Sequence, residues 1–197
     1  VVLVRKLIED GTMGELFECH AVMSKVVPPS GRKDLAQYPG GMLFELGCHI
    51  VDLTVGFLGA PLKVTPFPRQ SSPTSDDELL DNMLAVFEYP TATATVRSSA
   101  LEVEGFGRRH IALAGTGGTA HIQPLDRPSL RLSLTKDHGE FKKGTQEIPF
   151  EPPYQRYVGD AVDLAAIIRE EKASDFPSSH DLAVQKSVLQ ACGLPIN

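Results

Sequence analysis

Three residues able to do acid–base chemistry, Glu45, His49 and Asp52, fall at i, i+4 and i+7 in a stretch that is otherwise apolar. At ~100° per residue in a helix they share one narrow stripe. The rest of that surface is Leu43, Phe44, Leu46, Ile50, Val51, Leu53, Val55, Phe57 and Leu58. A helix this apolar is expected to be buried nearly all round. Burying a carboxylate and an imidazole without partners is costly, so the stripe must face a polar cleft, a substrate or a fixed network. An imidazole held near a carboxylate can serve as general base or proton relay for a hydroxyl group. A structural network in which His49 and Asp52 satisfy each other explains the same spacing. Zinc is a third reading, but Glu-x-x-x-His has no Cys/His cluster to support it, and no metal is expected.

Gly40 and Gly41 stand at the start of this helix. Two glycines there allow close backbone approach by a ligand, and a helix N-terminus attracts electronegative oxygens. Residues 26–39 carry Pro28, Pro29, Gly31 and Pro39 and read as a loop overlooking the same cleft. Arg32, Lys33 and Tyr38 in that loop are candidate substrate contacts, as are Gly41 and Asp52.

A nucleotide site is not expected. Gly115-Thr116-Gly117-Gly118-Thr119-Ala120 fits the G-x-G-x-x-A pattern, but the physics needs a helix N-terminus aimed at the pyrophosphate. The residues that follow, His121-Ile122-Gln123-Pro124, alternate like a strand, so a hairpin turn is expected. There is no Walker A sequence, and no cofactor is expected to bind this chain.

The elements that must position these residues follow from periodicity and turn signals. Leu3, Leu7 and Ile8 mark the end of a helix stopped by Gly11, and residues 15–25 alternate as a strand. Residues 42–58 form the long helix, stopped by Gly59 and Pro61. Residues 62–69 read as an edge strand because of Pro66 and Pro68. Residues 70–77 read as a polar loop, and 78–89 with 92–103 as a hairpin turning at Pro90-Thr91. Residues 108–114 with 119–123 give a second hairpin, and 130–135 and 146–150 two shorter strands. After Pro152-Pro153 the period changes to two closing helices, 157 to about 172 and from 179 or 180 onward. The order predicts an α+β domain: an open, mostly antiparallel sheet with helices packed on one face. Residues 83–89 are apolar on both faces for part of their length, so the face away from the helices either meets a partner or curls on itself.

At 197 residues the chain is long enough for one core, and we read 1–197 as a single domain. Its net charge of −6 lacks the electrostatic footprint of a nucleic-acid binder. No apolar stretch is long enough to span a bilayer, and the N-terminus has no signal-peptide pattern. Cys19, Cys48 and Cys192 are far apart and odd in number, and read as reduced thiols of a cytoplasmic protein. The chain starts with Val inside a helical pattern, which reads as a piece of something longer.

The pattern Gly40-Gly41-x-x-x-Glu45-x-Gly47-x-His49-x-x-Asp52 resembles the GG-x-x-x-D-x-G-x-H-x-x-D motif in the C-terminal domain of the Gfo/Idh/MocA oxidoreductases. Residues 6–15 resemble the segment that enters that domain, 111–122 its glycine hairpin and 157–187 its closing pair of helices. The resemblance implies a fold like the C-terminal domains of dihydrodipicolinate reductase and glyceraldehyde-3-phosphate dehydrogenase. It implies a substrate-binding and oligomerisation domain, with residues 1–11 the end of a linker helix and 151–197 the closing helices. It also implies a separate N-terminal Rossmann domain carrying NAD or NADP, a sugar, polyol or cyclitol substrate, and a homo-oligomer formed through the sheet face. His49 matches the family's active-site histidine. Glu45 matches an aspartate that contacts substrate, and its extra methylene moves the carboxylate by more than ~1 Å, enough to alter substrate geometry. Glu171-Lys172-Ala173 is not equated with the family's Glu-Lys-Pro motif, whose lysine is catalytic, so the isolated chain is expected to be inactive. The other reading is a non-catalytic binding or assembly module in which the stripe is structural.

Overall fold

The computed structural model describes residues 1–72, 76–126, 128–150 and 157–196. Helix α1 (Val2–Glu9) ends at Gly11, whose φ of +77° turns the chain into strand β1 (Leu16–Val22). The remaining strands are β2 (Lys63–Arg69), β3 (Asn82–Glu88), β4 (Thr93–Ser99), β5 (His110–Gly115), β6 (Gly118–Ile122), β7 (Leu130–Leu134) and β8 (Gly144–Ile148). They form one eight-stranded sheet in the order β2-β3-β4-β1-β5-β6-β7-β8. Every neighbouring pair is antiparallel except β1 and β4, which run parallel. The α+β architecture expected from the sequence is the one observed. Strand β2, with its two prolines, lies at the edge, where the lost ladder donors do no harm.

One face of the sheet is the core. Alternate residues Met83, Ala85 and Phe87 of β3, Ala94 and Val96 of β4, Cys19 and Ala21 of β1 and Ile111 and Leu113 of β5 are buried there. Helices α3 (Cys48–Leu58) and α6 (Ser178–Ala191) lie on this face, α3 over β1 and β4 and α6 over β2 and β3. Ile50, Val51, Val55, Val188 and Ala191 are the side chains they bury. Helix α5 (Val158–Ile168) buries no residue, and its Val162, Leu164 and Ile168 are exposed.

Four local expectations are corrected. Residues 26–39 are not all loop: Pro29–Ala36 form helix α2. Pro28 is extended and Pro29 occupies the first turn, where a missing N–H is harmless, so the proline pair starts a helix. The strand expected from residue 78 begins only at Asn82, because the Asp81 carboxylate is drawn into a buried charge cluster. The long helix is not uniform: Leu43–Gly47 form a π-helical turn, and regular α3 begins at Cys48. A four-residue helix, α4 (Gly105–Arg108), stands where a strand start was expected. The Pro152-Pro153 break lies outside the described residues.

Candidate functional site

The π-helical turn and α3 present one apolar face to the sheet. Leu43, Leu46, Gly47, Ile50, Val51, Thr54 and Val55 are buried there. A Cβ on Gly47 would come within 2.5 Å of Leu43 Cδ2 and 3.2 Å of Ser98 Cβ, so glycine lets the turn settle onto β4. The helix is therefore buried on one side only, not all round. Glu45, His49 and Asp52 all lie on the other side, as the spacing predicted, with Glu45 and Asp52 half-buried and His49 exposed. A turn that closes i→i+5 is rare and frequently marks functional sites.

The three residues then diverge. Glu45 Oε1 accepts from Lys25 Nζ at 2.7 Å, and both side chains are about a quarter exposed (27% and 26%). Glu45 Oε2 is buried and has no donor. Asp52 Oδ1 pairs with His180 Nε2 of α6 at 2.8 Å, not with His49. The His180 ring packs on Phe176, and the Arg5 guanidinium lies 5.1 Å from the Phe176 ring centre. Asp52 thus belongs to a lattice joining α1, α3 and α6. The ring of His49 makes no hydrogen bond among the described residues.

Lys25 was not foreseen. It follows β1 by three residues, where its backbone N–H donates to the Ser99 carbonyl at 3.0 Å. The only sequence signal was a lone cation after an apolar strand and a lone carboxylate in an apolar helix, twenty positions apart.

The remaining candidates are placed as follows. Arg32 is not on an open loop. It lies buried in α2, with Nε 2.7 Å from Asp77 Oδ2 and Nη2 2.9 Å from Asp81 Oδ2. The guanidinium holds the Asp77 carboxyl below its ordinary range, and the two carboxylates raise Arg32 in turn. Lys33 is exposed and pairs with exposed Asp76 at 3.0 Å. Tyr38 is exposed, and its carbonyl accepts from the N–H groups of Gly40 and Gly41. Gly41 has φ +54° and is buried, and a Cβ there would lie 2.6 Å from the Leu80 carbonyl oxygen. The missing Cβ allows this close packing against residue 80.

Burial disfavours the thiolate at all three cysteines. Burial pushes Cys19 and Cys192 up to about 12, and raises Cys48 beside the stripe. Among the described residues no group of three His, Cys, Asp or Glu is placed to hold a metal. Gly115 to Gly118 is a hairpin end between β5 and β6, as expected, and Gly117 packs against the backbone of residues 12–14. This hairpin offers no helix N-terminus to a pyrophosphate. A cavity of about 560 Å³ runs along α5, and one of about 220 Å³ lies beside His121, Arg131 and Glu147. Neither is lined by Glu45 or His49.

The sheet face away from α3 and α6 has a different character. His20 of β1, His110 of β5 and His121 of β6 meet there, with ring centres 5.1 Å and 5.2 Å apart. His20 Nδ1 shares a hydrogen bond with Thr95 Oγ1 at 2.5 Å, and His110 Nδ1 donates to the Arg108 carbonyl at 2.8 Å.

Among the described residues no helix is long and apolar enough to cross a membrane. A comparison with curated protein sequences finds no match. Solved structures share the fold. Aldose–aldose oxidoreductase from Caulobacter crescentus, crystallised with glycerol, is 18% identical with a TM-score of 0.76 over 98% of this chain. Levoglucosan dehydrogenase, in complex with NADH and levoglucosan, is 14% identical with a TM-score of 0.76 over 97%. An NAD-binding oxidoreductase from Klebsiella pneumoniae is 15% identical with a TM-score of 0.73 over 97%. This chain spans 58%, 60% and 59% of their respective lengths. The model of the GFO/IDH/MocA C-terminal domain matches residues 1–121, and the chain belongs to that oxidoreductase family.

Proposed function

We propose that this chain is the substrate-binding domain of an NAD(P)-dependent oxidoreductase acting on a sugar, polyol or cyclitol. The observation that carries the reading is His49, an exposed imidazole without a hydrogen-bond partner among the described residues. It stands four residues from a carboxylate that lacks one donor. A substrate hydroxyl resting on His49 can give its proton to the imidazole, and NAD⁺ or NADP⁺ when bound would supply the acceptor for the hydride that leaves the alcohol carbon. Glu45 accepts a neighbouring hydroxyl and orients the ring. NAD or NADP would be held by an N-terminal Rossmann domain of the full-length protein, and the isolated chain is then inactive. Family membership supports this, as do the sugars and the NADH in the descriptions of two of the structures it resembles.

Lys33 and Tyr38, both exposed on the segment that leads to Gly40, are the outer substrate contacts in this reading. Gly41, Asp52 and Arg32 serve by holding the frame. The sheet face opposite α3, where Phe67 is exposed and Leu84 and Val86 are half-buried, is the surface for a homo-oligomer. The three free cysteines support a cytoplasmic location in this reading.

One observation favours a second reading, a non-catalytic module: two of the three stripe residues already have charged or hydrogen-bonding partners. His49→Ala in the full-length protein separates the two. The oxidoreductase reading expects turnover of a polyol with NAD⁺ or NADP⁺ to fall by ~10²–10⁴-fold, with the melting temperature unchanged. Unchanged turnover, or no wild-type oxidation of any polyol, supports the module instead.

A further inference from the structure

The Lys25–Glu45 pair has an oddity that a surface ion pair does not. Both ends are fixed by backbone. Lys25 is held to Ser99 at the end of β1, with Gly105 packed so closely that a Cβ there would lie 2.9 Å from the Ser24 carbonyl oxygen. Glu45 sits in the π-helical turn, which is itself seated on β4. Lys25 occupies Oε1 at 2.7 Å and leaves Oε2 buried with no donor. A carboxylate oxygen shut away from water without a donor is unfavourable, so the group is one hydrogen bond short. Oε1, held by Lys25 on the half-exposed side, keeps a second lone pair for a donor that arrives there.

We propose that Lys25 is a positioning and specificity-determining residue of the candidate site, and that the Lys25–Glu45 pair selects an uncharged polyhydroxyl ligand over an acid sugar. This inference rests on the oxidoreductase reading above. Lys25 fixes Glu45 Oε1, and a ligand hydroxyl donates to the remaining lone pair of that same oxygen. The ammonium charge is already matched by Glu45, so no unmatched cation in the pair waits for a ligand carboxylate. A uronate or aldonate would bring a second negative charge to Glu45 with nothing to balance it. A neutral sugar or cyclitol meets no such repulsion. Lys25 touches Glu45 and acts on the ligand through it.

Steady-state kinetics of the full-length protein with NAD⁺ or NADP⁺ test this, using myo-inositol, D-glucose and levoglucosan against D-glucuronate and D-gluconate. The wild type is expected to oxidise a neutral member of the panel and to disfavour both acids. Lys25→Met should raise KM for the neutral substrate by about tenfold or more while kcat changes less, and Lys25→Arg should restore most of the loss. The melting temperatures of all three proteins should agree, since a mainly structural pair would lower stability and leave KM alone. An unchanged KM in Lys25→Met overturns the positioning role. So does a Lys25→Arg variant no better than Lys25→Met. A wild type that prefers glucuronate or gluconate overturns the neutral selection while leaving the oxidoreductase reading in place. No wild-type oxidation of any of the five removes that reading, and this inference with it.

Discussion

Around the helix that carries Glu45 basic side chains meet carboxylates, whereas on the bare face of the sheet three imidazoles meet one another. Arg32 faces Asp77 and Asp81, Lys25 faces Glu45, and His180 faces Asp52. On the other face His110 lies between His20 and His121. Opposite neighbours hold charge on: Asp77 is lowered and Arg32 raised. Like neighbours hold it off. Burial first and His110 second lower both His20 and His121. One region thus favours its charges and the other disfavours charge on His20 and His121, and the two should fail under different challenges.

The largest effect is expected where a buried pair is broken. Arg32→Met leaves the Asp81 carboxylate, fully buried, without its cation. The N–H groups of Ser71 and Ser72 still donate to Asp81, so the loss should fall at the lower end for a broken buried pair, about 3 kcal/mol. Urea unfolding reads this directly. A loss under about 1 kcal/mol would mean that the ionic region does not depend on its cation, and the contrast would collapse.

Acid should attack the other region. The ordinary imidazole value is 6.5, and folded His20 and His121 lie below it. Above 6.5 these groups are neutral in both states, and their full contribution to stability is present. As pH falls from about 6.5 toward the lowered folded values, the unfolded chain takes up protons that the folded chain refuses, and stability drops. The other charges facing His20 are Glu18, Arg97 and Arg108, and those facing His121 are Arg131 and Glu147. The two glutamates favour protonation and soften the effect. His110→Asn removes the shared neighbour, so its urea midpoint should fall less between pH 7.5 and pH 5.5 than that of the wild type. Equal slopes for the two proteins would show that the imidazoles do not sense one another.

How much of this could be read beforehand depended on the range of the physics involved. The α+β order, the edge position of β2 and the hairpin at Gly115 to Gly118 are local consequences of alternation, proline and glycine, and they were legible. So was the outward stripe of Glu45, His49 and Asp52, because a period near 3.6 survives one wide turn. The π-helical turn itself was not, since an i→i+5 closure reflects how Leu43 and Gly47 pack on Ser98, a residue about fifty positions away. The burial of Arg32 depended on carboxylates 45 and 49 residues downstream. The histidine cluster required knowing that β1 inserts between β4 and β5, in a register that sets both His20 and His121 opposite Ala112. The close approach of Gly41 to Leu80 was not legible either, because it joins residues far apart in the chain.

Of the pairs compared above, the smallest effect should come from Asp52 with His180. Asp52 is 46% exposed, and its partner His180 is 15% exposed. Asp52→Asn keeps an oxygen that can accept from His180 Nε2 and removes only the charge. The stacked arrangement of His180, Phe176 and Arg5 does not need that charge to persist. The expected loss is under about 1 kcal/mol, a fraction of that for Arg32→Met. Unfolding in urea at low and high salt separates the parts, because screening shrinks a Coulomb contribution and leaves a hydrogen bond nearly alone. A loss comparable to that of Arg32→Met would place Asp52 among the buried pairs. It would also mean that the docking of α6 onto α3 is held by charge, so that the ionic region extends from Lys25 to the last helix. A small loss confines that region to the Arg32 cluster and leaves the outer face of α3 held by packing, with His49 free for a substrate.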